Sequence, residues 1–70
     1  MKILDNVYLV GSGQIGLSHP FDCNIYLIDG EDELALIDSG AGADVNPVLS
    51  NIAQDGFQLD RITKIILMDL

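Results

Sequence analysis

Three short apolar blocks, each bounded by turn-forming residues, occupy the first half of the chain. The block Val7–Val10 is rich in β-branched and aromatic residues and ends at Gly11. The blocks Asn24–Asp29 and Glu33–Asp38 have the same character, and a polar turn at 30–32 separates them. Blocks of this kind predict β-strands. Because the turn between the last two is so short, we expect those strands to form an antiparallel hairpin.

The second half of the chain changes to a helical pattern over Pro47–Asp55 and then to an apolar block, Ile65–Met68. We expect Asn46 to cap the helix, with proline in its first turn, and Gly56 to end it. One face should carry Val48, Leu49, Ile52 and Ala53, with Ser50, Asn51, Gln54 and Asp55 facing away.

The final block lacks polar alternation, which is typical of a parallel strand covered on both faces. A strand–helix–strand order predicts that this strand, near Lys64–Met68, runs parallel to the third.

Composition limits what so short a chain can be. Its 70 residues allow one small domain or part of a larger one, and 49% hydrophobic with 20% charged residues indicates a folded segment. A net charge of −8, from 3 basic and 11 acidic residues, argues against a nucleic acid or an anionic membrane as partner. No targeting segment or apolar run of about 18 residues is present, and a single cysteine suits a reducing compartment, so we predict a cytoplasmic location.

The segment Gly11–Gly16 reads GSGQIG and follows a strand, as the dinucleotide-binding fingerprint does. In that fold a helix follows the glycines, and a carboxylate such as Asp38 would hold the ribose. Here the next residues include Pro20 and several turn formers, and a strand is already expected from Asn24. We therefore favour a glycine loop at the tip of a sheet and keep a dinucleotide-binding module as a disfavoured alternative.

Four segments together resemble the N-terminal portion of a metallo-β-lactamase superfamily hydrolase. They are NVYLVG (6–11), CNIYLIDG (23–30), ALIDSGAG (35–42) and ITKIIL (62–67). The resemblance implies an α/β fold, the N-terminal part of an αββα sandwich, with three strands, a helix and a fourth strand in a mixed sheet. It also implies that residues 1–70 are one incomplete domain.

The chain departs from the family pattern at its last residues. Family members continue the fourth strand into Thr-His-x-His-x-Asp-His, whereas Met68 and Asp69 occupy the Thr and first His positions here. The resemblance implies zinc or another divalent metal for a full-length member. With one His and one Cys, this chain is expected to bind no metal, to supply no catalytic residue and to be inactive by itself. Asp69 is the candidate that would lie near the metal.

Other candidate site residues also follow from the resemblance. The family aspartate that corresponds to Asp38 lies beside the metal site and orients its loops without binding metal. Locally the same residue is also a good turn former. The family loop that corresponds to 11–22 flanks the substrate groove, which makes Ser18, His19 and Phe21 candidates for substrate contact. An alternative function is a non-enzymatic half-domain that pairs with itself or with a C-terminal half through an exposed sheet face.

Overall fold

The computed structural model describes residues 1–18, 20, 23–38 and 45–67, and for Asp38 and Leu67 it describes the backbone only. The strands are β1 (Lys2–Leu4), β2 (Val7–Gly11), β3 (Ile25–Asp29), β4 (Leu34–Asp38) and β5 (Ile62–Leu67). Helix α1 spans Asn46–Gln54, and a 3₁₀ turn, Leu59–Arg61, leads into β5. Within these ranges no helix is long and apolar enough to cross a membrane.

The five strands form one mixed sheet in the order β1-β2-β3-β4-β5. The first four run antiparallel to their neighbours, and β5 runs parallel to β4. The predicted hairpin and the predicted parallel pairing of the last strand are therefore confirmed. The predicted element order is incomplete, because four strands rather than three precede the helix.

The additional strand is β1, which forms a hairpin with β2 across the two-residue turn Asp5–Asn6. The sequence pattern predicts no strand before Val7. All three residues of β1 are exposed, so the strand has no buried face that an alternation of apolar and polar residues would indicate. Pairing with β2, through Lys2 opposite Tyr8, defines it instead.

The core lies between one face of the sheet and helix α1. Its members are Val10, Ile25, Leu27, Leu34, Leu36, Val48 and Ile52, with Tyr8, Phe57 and Ile62 packed at its margin. Successive side chains in a strand point to opposite faces, which is why every second residue of β2, β3 and β4 contributes to this core. The rings of Tyr8 and Phe57 meet edge to face, with centroids 4.7 Å apart.

Helix α1 begins one residue earlier than predicted and is rotated relative to the predicted face. Val45 is the N-cap, and Asn46 is already helical, so the prediction of Asn46 as the cap is wrong.

The buried face of α1 also differs from the predicted one. Val48 and Ile52 are buried as expected, but Ala53 is exposed and Asn51 is half-buried. Gly56, which follows the C-cap residue Asp55, has a φ of +94°, which confirms it as the left-handed residue that ends α1.

The apolar pattern of β5 is typical of a strand covered on both faces, but in this structure the strand lacks that cover. Ile65 and Ile66 are 62% and 48% exposed, and they point to opposite sides of the sheet. Apolar sequence alone does not bury a strand, because burial requires a layer on each side. In the described part of the chain β5 is also an edge strand, since it pairs only with β4.

A row of side chains crosses the sheet on the side away from the core. It consists of Leu9, Tyr26, Ile37 and Ile66, which are successive register partners in β2, β3, β4 and β5. We call this row the open face. None of its members belongs to the cluster packed against α1. Leu9 at one end is buried, Tyr26 and Ile37 are partly buried, and Ile66 at the other end is exposed, so the row opens to solvent toward β5.

A polar cluster joins the β3–β4 turn to the start of β5. The Glu33 carboxylate accepts a hydrogen bond from Thr63 Oγ1 at 2.7 Å and forms an ion pair with Lys64 Nζ at 3.0 Å. These contacts, the Thr63 bond first, lower the pKa of Glu33 below its ordinary value of 4.5. Arg61 Nη2 donates to the backbone carbonyl of Glu31. The cluster ties a local hairpin to a strand about thirty residues later.

Candidate functional site

The carboxyl ends of β4 and β5 lie side by side, because Asp38 is the register partner of Leu67. Open α/β sheets build their sites at the carboxyl ends of adjacent strands. The backbone of Asp38 is therefore at the position that a site residue would occupy. Its side chain lies outside the described part of the structure, so its role beside a metal stays a prediction.

The other predicted site residues divide between described and undescribed positions. His19, Phe21 and Asp69 lie outside the described residues. Ser18 is described: it is half-buried, and its backbone N–H donates to the carbonyl of Ser12 at 3.2 Å. Ser18 therefore lies at the base of the segment 11–18, which we call the glycine loop.

The glycine loop has a structural explanation that involves no phosphate. A Cβ atom on Gly11 would lie 2.6 Å from Ile25 Cδ1 and 3.0 Å from Ile25 Cβ, so the close approach of β2 to β3 leaves no space for a side chain. Gly16 has a φ of +72°, which glycine adopts without strain. Residues 13–16 form a turn, and no helix begins within 12–18. A dinucleotide-binding loop requires a helix at that point.

Asn51 is the residue that sequence reasoning missed. Its side-chain nitrogen donates to the backbone carbonyls of Val10 and Leu17, each at 2.8 Å. The Val10 carbonyl directly precedes the glycine loop and the Leu17 carbonyl lies near its far end, so a residue of α1 contacts both ends of a loop that is 34 or more positions earlier in the chain. The helical spacing of the apolar residues placed Asn51 on the face turned away from the core.

The described residues do not supply a metal centre. Within the described ranges, no three His, Cys, Asp or Glu side chains are grouped so that they could hold a metal ion. The one cysteine, Cys23, is exposed and free. Zinc sites in proteins use three or four such ligands. The donor set on these elements therefore does not fit the metal that the family resemblance implies, and we derive no reaction step through it.

Comparison with known proteins assigns the chain to a family. No curated protein and no solved structure matches it. The sequence profile of the metallo-beta-lactamase superfamily matches residues 19–67, which is more than half of the chain. The matched region includes the β3–β4 hairpin, helix α1 and the parallel strand β5. The chain therefore belongs to the metallo-β-lactamase superfamily.

Proposed function

We propose that this chain is the N-terminal part of a metal-dependent hydrolase and is inactive by itself. The observation that carries the proposal is a superfamily match over residues 19–67 in a chain whose described residues group no three metal-binding side chains. The reaction class is hydrolysis of an ester, thioester, amide or phosphodiester. The metal ligands would come from sequence outside these elements.

Within such an enzyme the described elements would form the frame of the site. The adjacent carboxyl ends of β4 and β5 would bring Asp38 close to the start of the ligand segment, which follows β5 in the family. The glycine loop would border the substrate groove, as the resemblance implies. Neither element carries out chemistry alone in this proposal.

Zinc titration of the 70-residue chain tests the inactivity proposal directly. We expect calorimetry to show no zinc affinity in the nanomolar range, and we expect no metal-stimulated hydrolysis of ester, thioester, amide or phosphodiester test substrates. A chain extended by downstream coding sequence that contains His-x-His-x-Asp-His should gain both properties. Nanomolar affinity of the 70-residue chain that is lost on His19→Ala or Asp69→Ala would contradict the proposal.

The second candidate function is a non-enzymatic half-domain that associates through its sheet. The open face and the exposed edge strand β5 favour this candidate. Burying an aliphatic side chain is worth about 1.5–3 kcal/mol, and Ile65 and Ile66 are about half-exposed on opposite faces of the sheet. A partner that covers both faces at the β5 edge would therefore gain roughly 1.5–3 kcal/mol, and one that covers only the open face would gain about half of that. Small domains have a total stability of only about 5 kcal/mol at the low end, so this gain is large. The charge of −8 opposes association, but screening at physiological salt acts over about 8 Å.

Sedimentation analysis at tens of micromolar protein and physiological salt tests this second candidate. We expect a dimer or larger species for the unmodified chain and a shift toward monomer for Ile66→Lys, which places a charge on the open face. Ile15→Lys is the matched control, because Ile15 is 61% exposed but lies in the glycine loop, outside the sheet. A single folded monomer with cooperative, concentration-independent unfolding would refute self-association and would leave a C-terminal half as the expected partner of the open face.

A further inference from the structure

Asn51 makes a connection that neither the family nor the proposed reaction explains. It directly precedes Ile52, which is fully buried in the core and fixes the rotation of α1. From this fixed position the Asn51 side chain donates one hydrogen bond to the Val10 carbonyl and one to the Leu17 carbonyl. An amide nitrogen has two protons, so both bonds are made at the same time.

Two further bonds close the same loop from within. The carbonyl of Ser12, a residue that is 2% exposed, accepts the N–H of Leu17 at 2.9 Å and the N–H of Ser18 at 3.2 Å. The two sides of the glycine loop are thus joined by backbone bonds and by the Asn51 bridge. The backbone bonds lie within the loop, whereas Asn51 belongs to helix α1, whose position the core determines. Among these contacts, the Asn51 bridge is therefore the one that links the loop to another layer of the fold.

We propose that Asn51 is a positioning residue that holds the glycine loop in one conformation and couples that conformation to helix α1. The glycine-rich sequence is then a preorganised segment rather than a freely moving one. Its consequence for substrate binding rests on the proposed function, since only there does the loop border a substrate groove. The conformational claim concerns the 70-residue chain alone.

The geometry restricts which side chains can perform this task. Aspartate has the shape of asparagine but offers only acceptors when ionised, so Asn51→Asp would direct carboxylate oxygens at two carbonyl oxygens. Alanine would leave both carbonyls, which lie in a partly buried site, without the side-chain donor. Both changes act on the loop, while Val48 and Ile52 keep the helix packed.

Amide hydrogen exchange, measured residue by residue by NMR, tests the proposal. In Asn51→Asp we expect the N–H groups of Leu17 and Ser18 to exchange about tenfold faster or more, while that of Leu27 in the sheet changes little. Gln54→Glu is the matched control, since it makes the same amide-to-carboxylate change on the exposed side of the same helix. It should leave all three rates unchanged.

Two outcomes of the Asn51→Asp experiment would overturn the proposal. One is unchanged exchange at Leu17 and Ser18 in Asn51→Asp; the other is faster exchange throughout the sheet, which would indicate a general stabilising role. If the aspartate variant does not fold, the unmodified chain still decides. The side-chain NH₂ protons of Asn51 should exchange more slowly than those of exposed Gln54, and equal rates would refute the bridge. Because amide exchange involves neither zinc nor substrate, a negative exchange result would refute the role of Asn51 without bearing on the proposed hydrolase activity.

Discussion

Replacing Gly11 by alanine is the sharpest test of how the glycine loop joins the sheet. The added Cβ would lie 2.6 Å from Ile25 Cδ1 and 3.0 Å from both Cβ and Cγ1 of the same side chain. Rotation could move the Cδ1 methyl group, but Cβ is fixed to the backbone of β3. Ile25 is only 3% exposed and packs in the core, so it has little space to move away.

The expected cost follows from these contacts. Forcing an extra methyl group into a packed core costs about 1–3 kcal/mol. Alanine recovers about 0.5–1 kcal/mol because it has less backbone freedom than glycine in the unfolded chain. We therefore expect Gly11→Ala to lower the free energy of unfolding by about 0.5–2 kcal/mol. At a urea dependence of about 1 kcal/mol per molar, the midpoint falls by roughly 0.5–2 M.

A double-mutant cycle assigns this cost to Ile25. Ile25→Val removes Cδ1 and should cost about 0.5–1.5 kcal/mol in the unmodified chain, but clearly less in the Gly11→Ala background. Gly16→Ala is the control. It forces alanine into a φ of +72°, but no atom lies within 4 Å of its Cβ, so its effect should add to that of Ile25→Val. Urea unfolding followed by circular dichroism at one protein concentration measures the unmodified chain, the three single variants and the two double variants. A neutral Gly11→Ala, or equal costs of Ile25→Val in both backgrounds, would refute the steric explanation.

Three further predictions concern the β3–β4 hairpin and the core. Because the pKa of Glu33 is lowered in the folded chain, its contacts stabilise the fold above about pH 4.5, and this contribution is lost as the pH falls through the lowered pKa. The free energy of unfolding of Glu33→Gln, measured as a function of pH, should lack this acid-dependent decrease. Glu31 has a φ of +71°, so Glu31→Gly should raise the free energy of unfolding by about 0.5–1 kcal/mol in urea, whereas Asp32→Gly should lower it. Leu27 is fully buried, so Leu27→Ala should cost about 2–5 kcal/mol and leave thermal unfolding with little or no cooperative transition, while Ile15→Ala on the exposed loop should change stability by less than about 0.5 kcal/mol.

Local patterns in the sequence were sufficient to predict most of the secondary structure. The strands β2, β3 and β4, the helix and the parallel strand were each placed within a few residues, because turn formers such as Gly30 and Gly56 limit the chain at its boundaries. The family resemblance rests on these same segments and agrees with the profile match over 19–67. Strand β1 escaped prediction because its three residues are exposed and only its pairing with β2 defines it.

The backbone position of one candidate site residue was predictable, whereas the contacts of Asn51 were not. The position of Asp38 at a strand end followed from the apolar block that precedes it, and the structure places its backbone beside β5. The contribution of Asn51 could not be read from periodicity, because a half-buried asparagine and a solvated one give the same helical pattern. What distinguishes them is the presence of two carbonyls, those of Val10 and Leu17, at hydrogen-bond distance.

The sequence by itself therefore determined where the backbone can be extended, helical or turned, since these preferences arise from each residue and its near neighbours. Only the tertiary structure decided the rotation of α1, the closure of the glycine loop and the exposure of β5. Each of these depends on groups far apart in the chain: Ile52 against the sheet, Asn51 against the loop, and the absence of any described layer over Ile65 and Ile66. Burial and hydrogen bonding are properties of pairs of surfaces, and a one-dimensional pattern specifies only one member of each pair.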